Sequence, residues 1–171
     1  LYSWKEQDAT LTLKFHDVHA ELLFRSLDSP EDVVRLLSLQ LTGAFIDECR
    51  EIPITLLPDL MGRLRRFPRK QDVPAYWSGL ICATNPPEID SPWFKIMENL
   101  PLEGGNENSR MGASVYKQPS GLSPEAENLE NLHETYYQDL AKGKTEDWVN
   151  VYIHGQYAMS QDGIPVYSKA F

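Results

Sequence analysis

Asp47 and Glu48 stand side by side at the end of the apolar stretch Ala44-Phe45-Ile46. A buried strand that ends in two carboxylates delivers both to one edge of a sheet, and in open α/β sheets ligands gather at the carboxyl ends of the strands. A first carboxylate there can hold Mg²⁺ through its water shell. A second can orient and deprotonate a water that attacks the γ-phosphate of a nucleotide. Asp47 is therefore the candidate metal-side acid and Glu48 the candidate catalytic base. An ordinary strand end can carry two acids as well, so the pair alone does not decide.

A strand ending this way is the Walker B pattern, and a second polar pair strengthens it. Thr84 and Asn85 follow another apolar run, residues 77–83, and precede Pro86-Pro87. Short polar side chains at the end of a neighbouring strand can hydrogen-bond the γ-phosphate or the attacking water and so sense hydrolysis. Asn-Pro-Pro is also good turn chemistry without any ligand. A nucleotide motor further needs a Gly-x-x-x-x-Gly-Lys-Ser/Thr loop upstream of the carboxylates. Nothing before Asp47 matches. Gly143-Lys144-Thr145 does not serve, because Gln138 stands where the first glycine belongs and the triplet follows a helix. It reads as a helix C-cap followed by an N-cap. Either the phosphate loop lies upstream of Leu1, and both ends of the chain are cuts, or the chain is no ATPase.

The elements that must position these residues follow from periodicity and capping. Residues 10–15 alternate as a strand, with a hairpin partner over 20–24. Ser29 and Pro30 start a helix with Glu31 and Asp32 in its first turn, and Val33, Val34, Leu36 and Leu37 give it a buried face. Residues 42–46 and 77–83 are apolar runs without alternation, which predicts strands covered on both faces of a parallel sheet. Between them Pro58 opens a helix with Leu57, Leu60, Met61 and Leu64 on its apolar side. Met111 to Tyr116 is a strand candidate, and Gly104-Gly105-Asn106 marks a loop. Ser123-Pro124-Glu125 opens a long helix carrying Leu129, Leu132, Tyr136 and Leu140, ended by Gly143. Thr145 caps one more helix, with Trp148, Val151 and Tyr152. Residues 164–167 look like the first strand of something further.

Composition bounds the function classes. The 171 residues are 42% hydrophobic and 24% charged, enough apolar content for one domain's core. No run approaches the roughly 18 apolar residues of a membrane span. Cys49 and Cys82 are too few for a disulfide framework and read as small buried thiols. The formal charge of −9 argues against nonspecific nucleic-acid binding by composition alone. Yet Arg63, Arg65, Arg66, Arg69 and Lys70 fall within eight positions without an acid. They can be a solvated helix end, a DNA contact or a subunit contact.

Ordered stretches along the chain carry a family likeness. They are 27–32 (LDSPED), 41–48 (LTGAFIDE), 62–68 (GRLRRFP), 82–87 (CATNPP) with Trp93-Phe94, 118–121 (QPSG) with 126–129 (AENL), Tyr136-Tyr137, Gly143-Lys144, Asp147-Trp148 and 163–167 (GIPVY). In this order and spacing the chain resembles the large terminase subunit of tailed bacteriophages. The resemblance implies an α/β fold: part of a P-loop NTPase of the additional-strand catalytic-glutamate type, with a central mostly parallel sheet and a helical linker. Residues 1–121 would be the C-terminal part of the ATPase domain, 122–162 a helical lid and linker, and 163–171 the start of an RNase H-like nuclease. The parent would use ATP and Mg²⁺ to drive double-stranded DNA into a procapsid, with its nuclease site outside these residues. Asp47 maps to the metal-side acid, Glu48 to the catalytic glutamate, and Thr84 and Asn85 to the coupling motif. Arg35, on the helix before the Walker B strand, maps near an arginine finger acting in trans, though it also suits a solvated helix face. Implied partners are a portal protein, a small terminase subunit and further copies in a ring, in the cytoplasm of an infected bacterium, with no membrane.

Two other readings stay open. Asp47-Glu48-Cys49 followed by Ala83-Thr84-Asn85 imitates a superfamily 2 helicase, but no motif of a second helicase lobe is present. A catalytically inert α/β interaction domain would also lack a phosphate loop.

Overall fold

A computed structural model describes residues 1–27, 30–68, 77–102 and 111–157. The chain divides into two compact units, one of Leu1–Ala44 and Thr55–Leu80, the other of Phe45–Ile54 and Ile81–Phe171.

The first unit opens with an antiparallel sheet in the order β1-β2-β3: β1 (Tyr2–Lys5), β2 (Thr10–Phe15) and β3 (Val18–Leu23). The hairpin of β2 and β3 matches the alternation in the sequence. β1 is an addition that four residues of sequence did not signal. Register fixes the faces, since residues directly opposite one another share a side. Tyr2 pairs with Leu13 and Leu13 with Ala20; Trp4 pairs with Leu11 and Leu11 with Leu22; Phe15 pairs with Val18. One face is thus wholly apolar, and Tyr2, Trp4 and Phe15 on it are exposed. The other face carries Ser3, Lys5, Thr12, Lys14, His19 and Glu21.

Helix α1 (Pro30–Leu37) has Glu31 and Asp32 in its first turn and Arg35 in its last, the polarity that suits the helix dipole. The predicted cap, Ser29, lies outside the described residues. Helix α2 (Leu56–Met61) starts two residues before the expected Pro58. Leu36 of α1 is buried, as are Leu57, Leu60 and Leu64 in and after α2. Met61 is exposed, contrary to the apolar side assigned to it, because the helix ends there and the chain turns. The segment before residues 44–46 is pinned by this turn: Leu41 N–H donates to Arg63 O at 3.0 Å, and Thr42 Oγ1 donates to Phe67 O at 2.7 Å.

The second sheet holds β4 (Ala44–Ile46) and β5 (Leu80–Cys82). The strands are parallel, as expected: Ala44 N–H donates to Gly79 O at 3.0 Å, and Ala83 N–H to Ile46 O at 2.9 Å. Among the described residues this sheet has two strands, not the larger central sheet expected. The apolar runs also predicted cover on both faces. Ile46 is buried, but Phe45 and Ile81 are 62% and 52% exposed, so only one face is covered.

In the second unit, Ile46, Cys49, Pro87, Trp93, Ile96, Val151 and Ile153 are buried. Helix α3 (Pro92–Met97) begins at Ser91, whose hydroxyl accepts from Trp93 N–H. The Trp93 indole N–H donates to Ile52 O at 2.9 Å, so a buried polar group is satisfied as it packs. Residues 111–120 form no strand, against expectation. The long helix expected after Ser123 is also broken. It consists of a 3-10 turn, Leu129–Asn131, and helix α4 (Tyr136–Ala141). Local polar bonds stand here in place of helical ones. Asn128 sits at φ 61°, Asn131 Nδ2 donates to Asn128 Oδ1 at 2.7 Å, and His133 Nδ1 accepts from Thr135 N–H at 3.3 Å. Gly143 follows α4 at φ 72°, where glycine is favoured, and Thr145 caps helix α5 (Glu146–Tyr152) by accepting from Trp148 N–H. Both caps are as the sequence implied. Residues 163–171 lie outside the described residues.

Candidate functional site

The turn after β4 places the two carboxylates. Glu48 adopts φ 48°, ψ 48°, a left-handed conformation that costs a non-glycine residue about 1 kcal/mol and recurs at functional sites. Its own amide N–H donates to Asp47 Oδ1 at 3.2 Å. Both side chains are exposed. Immediately afterwards Cys49–Glu51 form a 3-10 turn, anchored by Cys49 N–H to Ala83 O at 3.0 Å.

That anchor and the parallel ladder bring the second polar pair to the first. Thr84 Oγ1 lies 3.5 Å from Glu48 Oε2, and Asn85 Nδ2 lies 3.4 Å from Glu48 Oε1. These are long hydrogen bonds, weaker than the usual 2.7–3.2 Å range. Each contacts a different carboxylate oxygen, so the pair brackets Glu48 without tying it down. Residues 36 and 37 positions apart in sequence are joined because β4 and β5 run side by side in the same direction.

The arginine candidates belong to the first unit, so the structure does not gather them with Glu48 in one unit. Arg35 lies 3.5 Å from Asp32 in its own helix, with its side chain 77% exposed. It lines a cavity of about 530 Å³ together with Asp8, Arg25 and Ser38. Arg25 is occupied there by backbone, donating to Asp8 O, Ala9 O and Phe24 O. Arg63 is half-buried, while Arg65, at φ 62°, and Arg66 are exposed. Arg69 and Lys70 lie outside the described residues.

The sequence did not single out Arg50. Its Nη1 donates to Pro86 O at 3.3 Å, Nη2 to Tyr152 Oη at 3.0 Å and Nε to Glu51 Oε1 at 3.2 Å. Burial works to lower its affinity for the proton, but the Tyr152 hydroxyl and the charges of Glu51 and Glu48 outweigh it and raise the pKa. The only signal in sequence was position: an arginine two residues beyond the candidate base. The cysteines also differ from expectation, since Cys49 is buried but Cys82 is exposed. The neighbouring Cys82 thiol, then burial and the Glu48 charge, push the Cys49 thiol up.

No protein-family model matches the chain, and no curated protein does. Among solved structures, the large terminase from the thermophilic bacteriophage D6E is similar, with a TM-score of 0.58 at 15% sequence identity. The likeness covers 92% of this chain and 34% of that one, so the chain spans about a third of the terminase it matches. Over that span the chain has a terminase-like fold.

Proposed function

We propose that this chain is the Walker B and coupling segment of a viral DNA-packaging ATPase. The observation that carries the reading is the bracketing of Glu48 by Thr84 and Asn85 at the carboxyl ends of two parallel strands, in a chain of terminase-like fold. Asp47 suits Mg²⁺, which keeps most of its waters and takes one or two carboxylates beside phosphate oxygens. One of its oxygens is engaged by a backbone amide, which would hold the carboxylate in place for that ion. Bound MgATP would supply the phosphoryl bond whose hydrolysis drives the motor. Glu48 would accept the proton of the attacking water. Thr84 and Asn85 would hold the carboxylate until its charge or the phosphate changes, and then move.

In this reading residues 1–121 are the C-terminal part of the ATPase domain and 122–162 the lid and linker, with the nuclease beginning at 163. The Gly-rich phosphate loop and the nuclease metal site fall outside these 171 residues. Double-stranded DNA, a portal protein, a small terminase subunit and sister subunits in a ring are the implied partners, inside an infected bacterial cell. Arg35 would act on a neighbouring subunit's nucleotide. The cluster from Arg63 to Lys70 would meet DNA phosphates or a subunit.

The test is in the packaging enzyme that carries this segment. Glu48→Gln should leave MgATP binding intact and slow hydrolysis by on the order of 10²–10⁴-fold. Asp47→Ala should weaken MgATP binding itself. Normal hydrolysis by Glu48→Gln would remove the assignment.

A further inference from the structure

Arg50 touches three separate pieces of the second unit. Through its own backbone it belongs to the 3-10 turn that follows Glu48. Through Nη1 it holds Pro86 O, the next carbonyl after the Thr84-Asn85 pair. Through Nη2 it holds the hydroxyl of Tyr152, the last residue of α5. A guanidinium is planar and presents donors in fixed directions, so it can bind these two acceptors and Glu51 at once. The Lys ammonium is a point charge on a flexible stem and cannot reproduce that fork.

The contact with α5 continues along the helix. Arg50 Cζ lies 5.7 Å from the centre of the Tyr152 ring. Tyr152 stacks on Trp148, with ring centres 4.8 Å apart and planes inclined by 25°. Lys144 Nζ lies 5.0 Å from the Trp148 ring. Trp148 and Tyr152 are one helical turn apart on α5, and Lys144 sits just ahead of its cap, so two cations enclose two stacked rings in a column beside the helix. Cations favour aromatic faces through the ring quadrupole. The column begins near the start of α5 and ends two residues from Glu48.

We infer that Arg50 is a positioning residue that ties α5 to both turns of the hydrolytic edge. A shift of α5 then reaches Glu48 and Asn85 together, through one rigid side chain. The anchoring of the helix itself falls to buried Val151 and Ile153. The polar link at Arg50, with its side chain 23% exposed, sets alignment more than stability. The inference rests on the proposed hydrolytic role of Glu48, and it names the route by which the linker side of the molecule acts on that role.

Two measurements test it. In this chain, Tyr152→Phe keeps the ring and loses only the hydroxyl. Amide hydrogen exchange should quicken at residues 47–51 and at Thr84 and Asn85, remote in sequence from the substitution, while α3 stays as in wild type. In the packaging enzyme, Tyr152→Phe and Arg50→Gln should lower kcat by on the order of 10–100-fold, the scale of a misplaced catalytic group, with the KM for ATP nearly unchanged. Arg50→Lys should not rescue it. Wild-type exchange in both turns, or wild-type kcat in an enzyme that Glu48→Gln inactivates, would overturn the inference. If Glu48→Gln stays active, the hydrolytic reading fails, and the exchange result alone decides whether Arg50 aligns the two turns. If Arg50→Gln does not fold, Tyr152→Phe decides.

Discussion

Glu98, just past α3, accepts hydrogen bonds from Lys117 Nζ at 2.8 Å and from the Tyr157 hydroxyl. Lys117 Nζ also lies 4.6 Å from the Tyr157 ring, and Phe94 meets that ring edge-on. The Lys117 bond and then the Tyr157 bond hold the Glu98 carboxyl below its usual range. A carboxyl depressed in the folded state stabilises the fold above its unfolded pKa, and that contribution is lost as pH falls through the folded value. Glu98→Gln should therefore melt slightly below wild type at neutral pH. The gap should close as pH drops through and below the ordinary carboxylate range, which parallel thermal melts across pH would follow. Side chains like these were invisible in sequence, because Glu98 and Tyr157 are 59 positions apart. The same holds for Arg50 and Tyr152, separated by 102 positions. The meeting of Glu48 with Thr84 and Asn85 was legible for the opposite reason. Each is announced by the apolar run before it, and the ladder between those runs does the rest.

Gly43 stands at the entry to β4, where the chain passes beneath Trp77. A Cβ at this position would collide with the Trp77 indole and lie 3.0 Å from Gly79 O. The indole can move, but the carbonyl belongs to the backbone leading into β5. Gly43→Ala should destabilise the first unit by about 1–3 kcal/mol, the usual cost of overpacking. Adding Trp77→Leu should recover part of that loss and leave the part due to the carbonyl, as denaturant unfolding of the single and double variants would measure. Elements with strong local punctuation were legible: the hairpin through alternation, α1 through its acidic first turn, α5 through Thr145. Elements governed by competing local bonds were not. The helical spacing of Leu129, Leu132, Tyr136 and Leu140 is real, yet Asn128, Asn131 and His133 divert the backbone between them. Residues 111–116 have the composition of a strand and no neighbouring strand to pair with among the described residues.

For the molecule as a whole, a terminase-like fold at 15% identity means that the pattern of elements outlasts nearly all of the side chains. The order of the parallel strands and the polar pairs at their ends carried that pattern into the sequence. Of the three-stranded sheet only the hairpin of β2 and β3 entered it, and the composition of the whole sheet has a consequence for how the chain behaves in solution. A net charge of −9 makes copies repel, while an apolar face bearing Tyr2, Trp4 and Phe15 makes them attract. Salt acts on the two forces in opposite ways. Screening shortens the reach of repulsion from about 10 Å at 0.1 M to about 3 Å at 1 M ionic strength. Sulfate at the same time strengthens the burial of apolar surface. Sedimentation velocity should accordingly find a monomer in dilute buffer and reversible self-association as ammonium sulfate is raised, reduced by Trp4→Lys. Purification would then run against the habit of adding salt to keep a protein dispersed: for this chain, the low-salt buffer is the one that keeps it apart from its own copies.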